Sequence, residues 1–212
     1  MLTTTDGYLA AAAVAADLLS EPQVAASWDL PSALARMSVG ALAGHLARQV
    51  FTVETLIGQD PGDEQPISLL EHYARAAWTD AGLDDAPNAD VRRDAAAEAA
   101  AGPAALAAAA RQALDRLRGS LPGQPPGRVV LLPWGPWALT LDDLLTTRLM
   151  EITVHCDDLA ASVGRPAPVL PQDVTDVVVG LLARLAARRH GATAVVRALS
   201  RAERAPATIT AF

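Results

Sequence analysis

Between Leu141 and Gly164 the chain reads as one amphipathic helix whose apolar stripe is interrupted by charge. At about 100° per residue, positions 141, 144, 148, 151, 152, 155, 158 and 159 share a face, and Asp157 points away. Leu141, Leu144, Ile152 and Leu159 make that face the buried side. Arg148, Glu151, His155 and Asp158 therefore lie in or beside a core, where an unpaired charge costs several kcal/mol. Any fold of this chain has to give them partners, and those partners are either one another or a metal ion.

The spacing narrows the choice. Glu151 and His155 are i and i+4, so both side chains can reach one point, as in bundle metal sites completed by a facing helix. Arg148 and Glu151, i and i+3, can equally form a plain ion pair. A third ligand must come from another segment, and the leading candidate is His45, mid-helix at the edge of a Leu42, Leu46 and Val53 face beside Gln49 and Thr52. A His-Glu-His set suits zinc and leaves a fourth position open for water or substrate.

The remaining segments predict helices. Thr5 to Leu19 forms the first and stops at Glu21-Pro22, because the residue before proline resists helical geometry. A loop with Trp28 and Pro31 follows. Ser38 is an N-cap, Met37 and Leu42 have staple spacing, and the second helix runs to Gly58. The turn-rich stretch QDPGDEQP leads to a third helix, Ile67 to Trp78, which carries His72 and Tyr73 within reach of a pocket. The alanine-rich run from about Asp90 to Leu117 is helical by propensity, broken at Gly102-Pro103, and expected to pack loosely for want of large side chains. Arg128 to Leu139 reads as a short, irregular β-hairpin, and Thr140 with Asp143 as the capped start of the charged helix. Pro171 to Gly191 predicts a further helix with His190 as a dipole partner at its end, and Ser200 with Glu203 a capping box. Trp28, Trp134 and Trp137 flank the two key helices as packing residues or a roof.

Apolar residues make up 51% of the 212 and aromatics only 4%, so the core is built from Ala, Leu and Val, a composition that favours helices. The expected fold is all-α, a four-helix bundle with additional helices and a small β excursion, forming a single domain over 1–212 with its core at about 4–164 and a C-terminal helix and tail over 165–212. A net charge of −7 without a basic run argues against nucleic acid. No apolar run reaches the ~20 residues of a membrane span and no signal peptide is visible, so a cytoplasmic protein is expected. Cys156 is the single cysteine, which excludes an internal disulfide; it points about 100° away from His155 on the helix and reads as a packed thiol. No stretch specifies the oligomeric state, and a homodimer is compatible.

Two motifs resemble a known family. PSALARMSVGALAGHLARQV is similar to the N-terminal signature of the DinB-like, mycothiol-dependent maleylpyruvate isomerase family, and TRLMEITVHCDDLA resembles its second signature, R-x-x-E-x-x-x-H-x-x-D-L. The resemblance implies a DinB-like bundle with zinc, or another divalent metal, on His45, Glu151 and His155. It also implies a low-molecular-weight thiol, mycothiol, activated as thiolate for transfer to, or isomerisation of, a small electrophilic substrate. In that scheme Arg148 orients Glu151 or an acidic substrate, and Asp158 supports a ligand or the pocket wall. Isomerase members carry a further C-terminal α/β domain where this chain has only residues 192–212 after Gly191, so maleylpyruvate itself is not the expected substrate. The alternatives are a zinc-water hydrolase or rearrangement enzyme without a thiol, and a non-catalytic metal-binding bundle.

Overall fold

Four of the helices start where a hydroxyl accepts an otherwise unpaired backbone N–H. In the computed structural model, which describes residues 2–60, 64–79, 81–125 and 127–212, Thr3 accepts from Asp6 N to open α1 (Thr4–Leu19). The Glu21-Pro22 pair ends α1 as expected, but proline's fixed φ also opens a short helix, α2 (Pro22–Ala26), where a loop was predicted. Ser38 accepts from Ala41 N ahead of α3 (Val39–Ile57), which stops at Gly58. The turn expected over 59–66 lies partly outside the described residues.

Ser68 caps α4 (Leu69–Arg75), which is shorter than the predicted Ile67 to Trp78 because Ala76 turns to extended backbone. The alanine-rich run begins earlier than predicted, as α5 (Ala86–Glu98) with proline in its first turn. It is divided at Gly102, φ 86°, from α6 (Pro103–Ser120). The predicted loose packing of this run is overturned. A Cβ added at Gly44 of α3 would collide with the carbonyl oxygen of Ala95 in α5, and Ala95, Ala110 and Ala113 are fully buried. Small side chains let the backbones approach closely, so low side-chain volume produces tight contact and not slack.

Strands β1 (Val129–Leu131) and β2 (Ala138–Thr140) form the expected hairpin, with Val130 opposite Leu139. Thr140 then accepts from Asp143 N and starts α7 (Leu141–Ser162). Ile67 N donates to Ala138 O at 3.0 Å, which ties the approach to α4 onto β2. Beyond α7 come α8 (Gln172–His190), turned at Gly191 with φ 84°, and α9 (Ala192–Ser200). The predicted Ser200 to Glu203 capping box is absent: the Ser200 hydroxyl donates back to Val196 O, and a 3-10 turn follows.

The architecture is all-α. Helices α1, α3, α6 and α7 form a DinB-like four-helix bundle in which α1 and α3 each pack on both α6 and α7; α5 lies outside on α3, and α8 rests on α7 and α1. Leu42, Leu46, Leu117, Leu144 and Ile152 are fully buried between them. Among the described residues no helix is long and apolar enough to cross a membrane.

Candidate metal centre

Facing turns of α3 and α7 bring three of the predicted residues together. Nitrogen and oxygen atoms of His45, Glu151 and His155 all lie within 4.8 Å of one another. His155 Nε2 is 3.1 Å and His45 Nε2 3.4 Å from the same oxygen, Glu151 Oε2. The two imidazoles meet edge to face with centroids 4.6 Å apart, and the three side chains are only 13 to 15% exposed. Asp158, one turn beyond His155, accepts from its Nδ1 at 3.0 Å.

These contacts fix the electrostatics. Burial opposes the charge on Glu151, but hydrogen bonds from His155 and His45 hold its carboxyl well below the usual range. Burial likewise opposes an imidazolium at His155, yet Asp158 and Glu151 raise it to about 9. Burial lowers the His45 pKa, outweighing its hydrogen bond to Glu151. With no cation, then, His155 satisfies two carboxylates only by carrying both protons. The residues fit a divalent metal on two counts. Two nitrogens and a carboxylate oxygen converge, and the Asp158 contact keeps a proton on His155 Nδ1 so that its Nε2 can present a lone pair. His45 faces the cluster through Nε2, and its buried Nδ1 has no hydrogen-bond partner.

Arg148 does not form the simple ion pair with Glu151 that its spacing allows. Its guanidinium donates to Gln49 Oε1 at 2.6 Å and to Thr147 Oγ1 at 3.0 Å, and sits 5.7 Å from the centroid of the Trp134 ring. Gln49 was not foreseen as a site residue. It is 1% exposed, its amide donates to the carbonyl of His45 at 2.8 Å, and its own carbonyl accepts from the Tyr8 hydroxyl at 3.1 Å. The available signal was a buried amide one turn after a candidate ligand, which has to find partners.

The tryptophans divide. Trp28 packs on α3, where its ring leaves room only for glycine at position 40. Trp137 donates from Nε1 to His72 Nδ1 at 3.1 Å, and burial of His72 lowers its pKa to about 4. His72 is thus buried with a fixed partner. Tyr73, also buried, leaves its hydroxyl unpartnered, and the charges of Glu151 and Arg148 both act on it. Burial pushes the Cys156 thiol up to about 12, in keeping with a packed side chain. At the end of α8, His190 donates from Nε2 to Thr210 O at 2.8 Å and ties the C-terminal tail to that helix.

Residues 8–160 match the family described as mycothiol maleylpyruvate isomerase N-terminal domain. No curated protein and no solved structure matches the chain. The matched span takes in both helices that supply the cluster and more than half of the 212 residues, so the chain belongs to the mycothiol maleylpyruvate isomerase N-terminal domain family.

Proposed function

We propose that this protein is a metal-dependent enzyme that activates a low-molecular-weight thiol, mycothiol, for transfer to, or isomerisation of, a small electrophilic substrate. The observation that carries the reading is the convergence of His45, Glu151 and His155 within 4.8 Å in a chain of a mycothiol-related family. They are the proposed ligands of zinc or another divalent cation. When bound, such a cation supplies Lewis acidity that keeps a thiol anionic at neutral pH.

The chain's own residues do the rest. Glu151 stays ionised and brings negative charge to the centre. His155 would present a neutral Nε2 to the ion while its Nδ1 proton is held by Asp158, which makes Asp158 a positioning residue acting through the ring. Arg148, held by Gln49 and Thr147, keeps its remaining guanidinium donors for an acidic group of the substrate.

Metal analysis of untagged protein purified without added metal tests the reading. The expected result is close to one equivalent of divalent cation, lost in His155→Ala and bound about 10- to 100-fold more weakly in Asp158→Asn. Calorimetry should then register mycothiol binding to the loaded wild type and none to His155→Ala. Less than about half an equivalent of any transition metal in the wild type would overturn it.

A further inference from the structure

The charge of this chain is unevenly spread. Residues 177–212 hold six of the 17 basic residues and one of the 24 acidic ones, Glu203, a net of +5 against −12 for residues 1–176. The basic segment lies beyond residues 8–160 of the family match. The fold concentrates its charge further. Buried Val195 fastens α9 to α8, and the chain then turns through two backbone hydrogen bonds, Arg201 N to Arg197 O at 2.8 Å and Arg204 N to Arg201 O at 3.0 Å. Each bond sets one arginine a turn from the next, and all three line a groove of about 440 Å³ with Thr193, Val196 and Ser200. No acidic residue lines it.

On the bundle, arginines come paired with carboxylates: Arg48 with Asp94, Arg116 with Glu54, Arg118 with Asp115. Among the described residues Arg197, Arg201 and Arg204 have no carboxylate partner. Arg201 uses one N–H on Ser200 O at 2.8 Å, and the side chains of Arg197 and Arg204 make no hydrogen bond at all. Like charges a turn apart repel by roughly 0.2 to 0.5 kcal/mol a pair, so the folded chain holds this trio together at a cost that a bound anion would remove. Thr193 adds a hydroxyl with no hydrogen bond among the described residues, whereas that of Ser200 donates to Val196 O.

A guanidinium presents its N–H groups as a planar fork that matches two phosphate oxygens at once. The charge around the groove also selects the size of its ligand. An extended polyanion would meet the acidic remainder of the chain, whereas a compact one stays within a Debye length, about 8 Å, of the arginines. We propose that the groove is a binding site for a small phosphate-bearing anion, a phosphomonoester or a diphosphate, gripped by Arg197, Arg201 and Arg204 with Thr193 donating a further hydrogen bond. The site is separate from the His45, Glu151 and His155 cluster and does not depend on the thiol reading.

The test titrates inorganic pyrophosphate calorimetrically into the full-length protein, freed of metal by a chelator and then dialysed. Saturable one-to-one binding is expected, weakened at least about tenfold when Arg197→Gln and Arg204→Gln are combined. Both positions are exposed, and circular dichroism should report an unchanged helical fold. Arg118→Gln, which removes a cation from the surface of α6, should leave the affinity unchanged, and so should His155→Ala. No saturable binding, an equal loss in Arg118→Gln, or a loss in His155→Ala would overturn the proposal, the last by moving the anion to the metal centre. Phosphatidic acid vesicles should not sediment the protein. Co-sedimentation abolished by the paired substitutions would overturn the assignment to a compact ligand in favour of a lipid headgroup.

Discussion

Helices α7 and α8 pack side by side with 22 and 19 residues, yet they hide opposite things. α7 takes a threonine, an arginine, a glutamate and a histidine into or beside the core, each with a named partner. α8 leaves Val177 and Val179 45% and 59% exposed, and its extension α9 leaves Leu199 74% exposed. An apolar side chain on the surface costs little, whereas a buried polar group costs the loss of its hydration unless a partner replaces the water. The difference shows where the fold is under constraint. The bundle between α3 and α7 tolerates few changes, and the α8 and α9 layer tolerates many.

Four tests bear on that contrast. The largest effect is expected from Leu144→Ala, fully buried in α7, which should lower unfolding free energy in urea by about 3 kcal/mol, while Val179→Ala should change it by less than about 0.5 kcal/mol. Comparable losses for the two would remove the distinction. Next comes Gly44→Ala, where the new methyl meets the backbone of α5. A loss of about 2 to 3 kcal/mol in the same assay is expected, since backbone and not a flexible side chain must move.

Acid provides a third probe, through His72. Folded, it titrates at about 4, against 6.5 for an ordinary histidine, so between those values the unfolded chain takes up the proton first. The contribution of neutral His72 is complete above pH 6.5 and is lost as pH falls towards 4, the loss reaching about 2 kcal/mol at pH 5. Urea midpoints measured from pH 7 to pH 4 should show this loss, and His72→Phe should reduce it. The smallest effect is a gain. Gly180 sits on the exposed face of α8, and a Cβ there meets nothing within 4 Å, so Gly180→Ala should stabilise the protein by about 0.5 to 1 kcal/mol through helix propensity. A loss there would mean that α8 is packed more tightly than its exposure indicates.

The sequence disclosed the cluster because helical periodicity is local. Charges at 148, 151, 155 and 158 on a leucine stripe cannot be solvated, and Glu151 with His155 share a turn whatever lies opposite. Caps at Ser38 and Thr140 were legible for the same reason. The partner of Arg148 was not, since Gln49 depends on the register between α3 and α7, which no single helix encodes. The packing of α5 was misjudged because alanine-rich sequence reports volume but not approach: at Gly44 and Ala95 smallness is what brings two backbones together. The first turn of α2 was hidden behind a proline that reads as a stop for the helix before it and serves as a start for the one after.

The separation of His45 from Glu151 along the chain has a topological consequence. The segment that joins them runs through α4, α5, α6 and the hairpin, so an ion gripped by all three side chains would act as a clasp on a long ring of polypeptide. Such an ion binds the folded chain and not the unfolded one, in which closing so long a ring is entropically costly. Occupancy would therefore make the melting temperature depend on ion concentration, and amide exchange inside the ring would slow on loading while α9, outside it, kept its own rate.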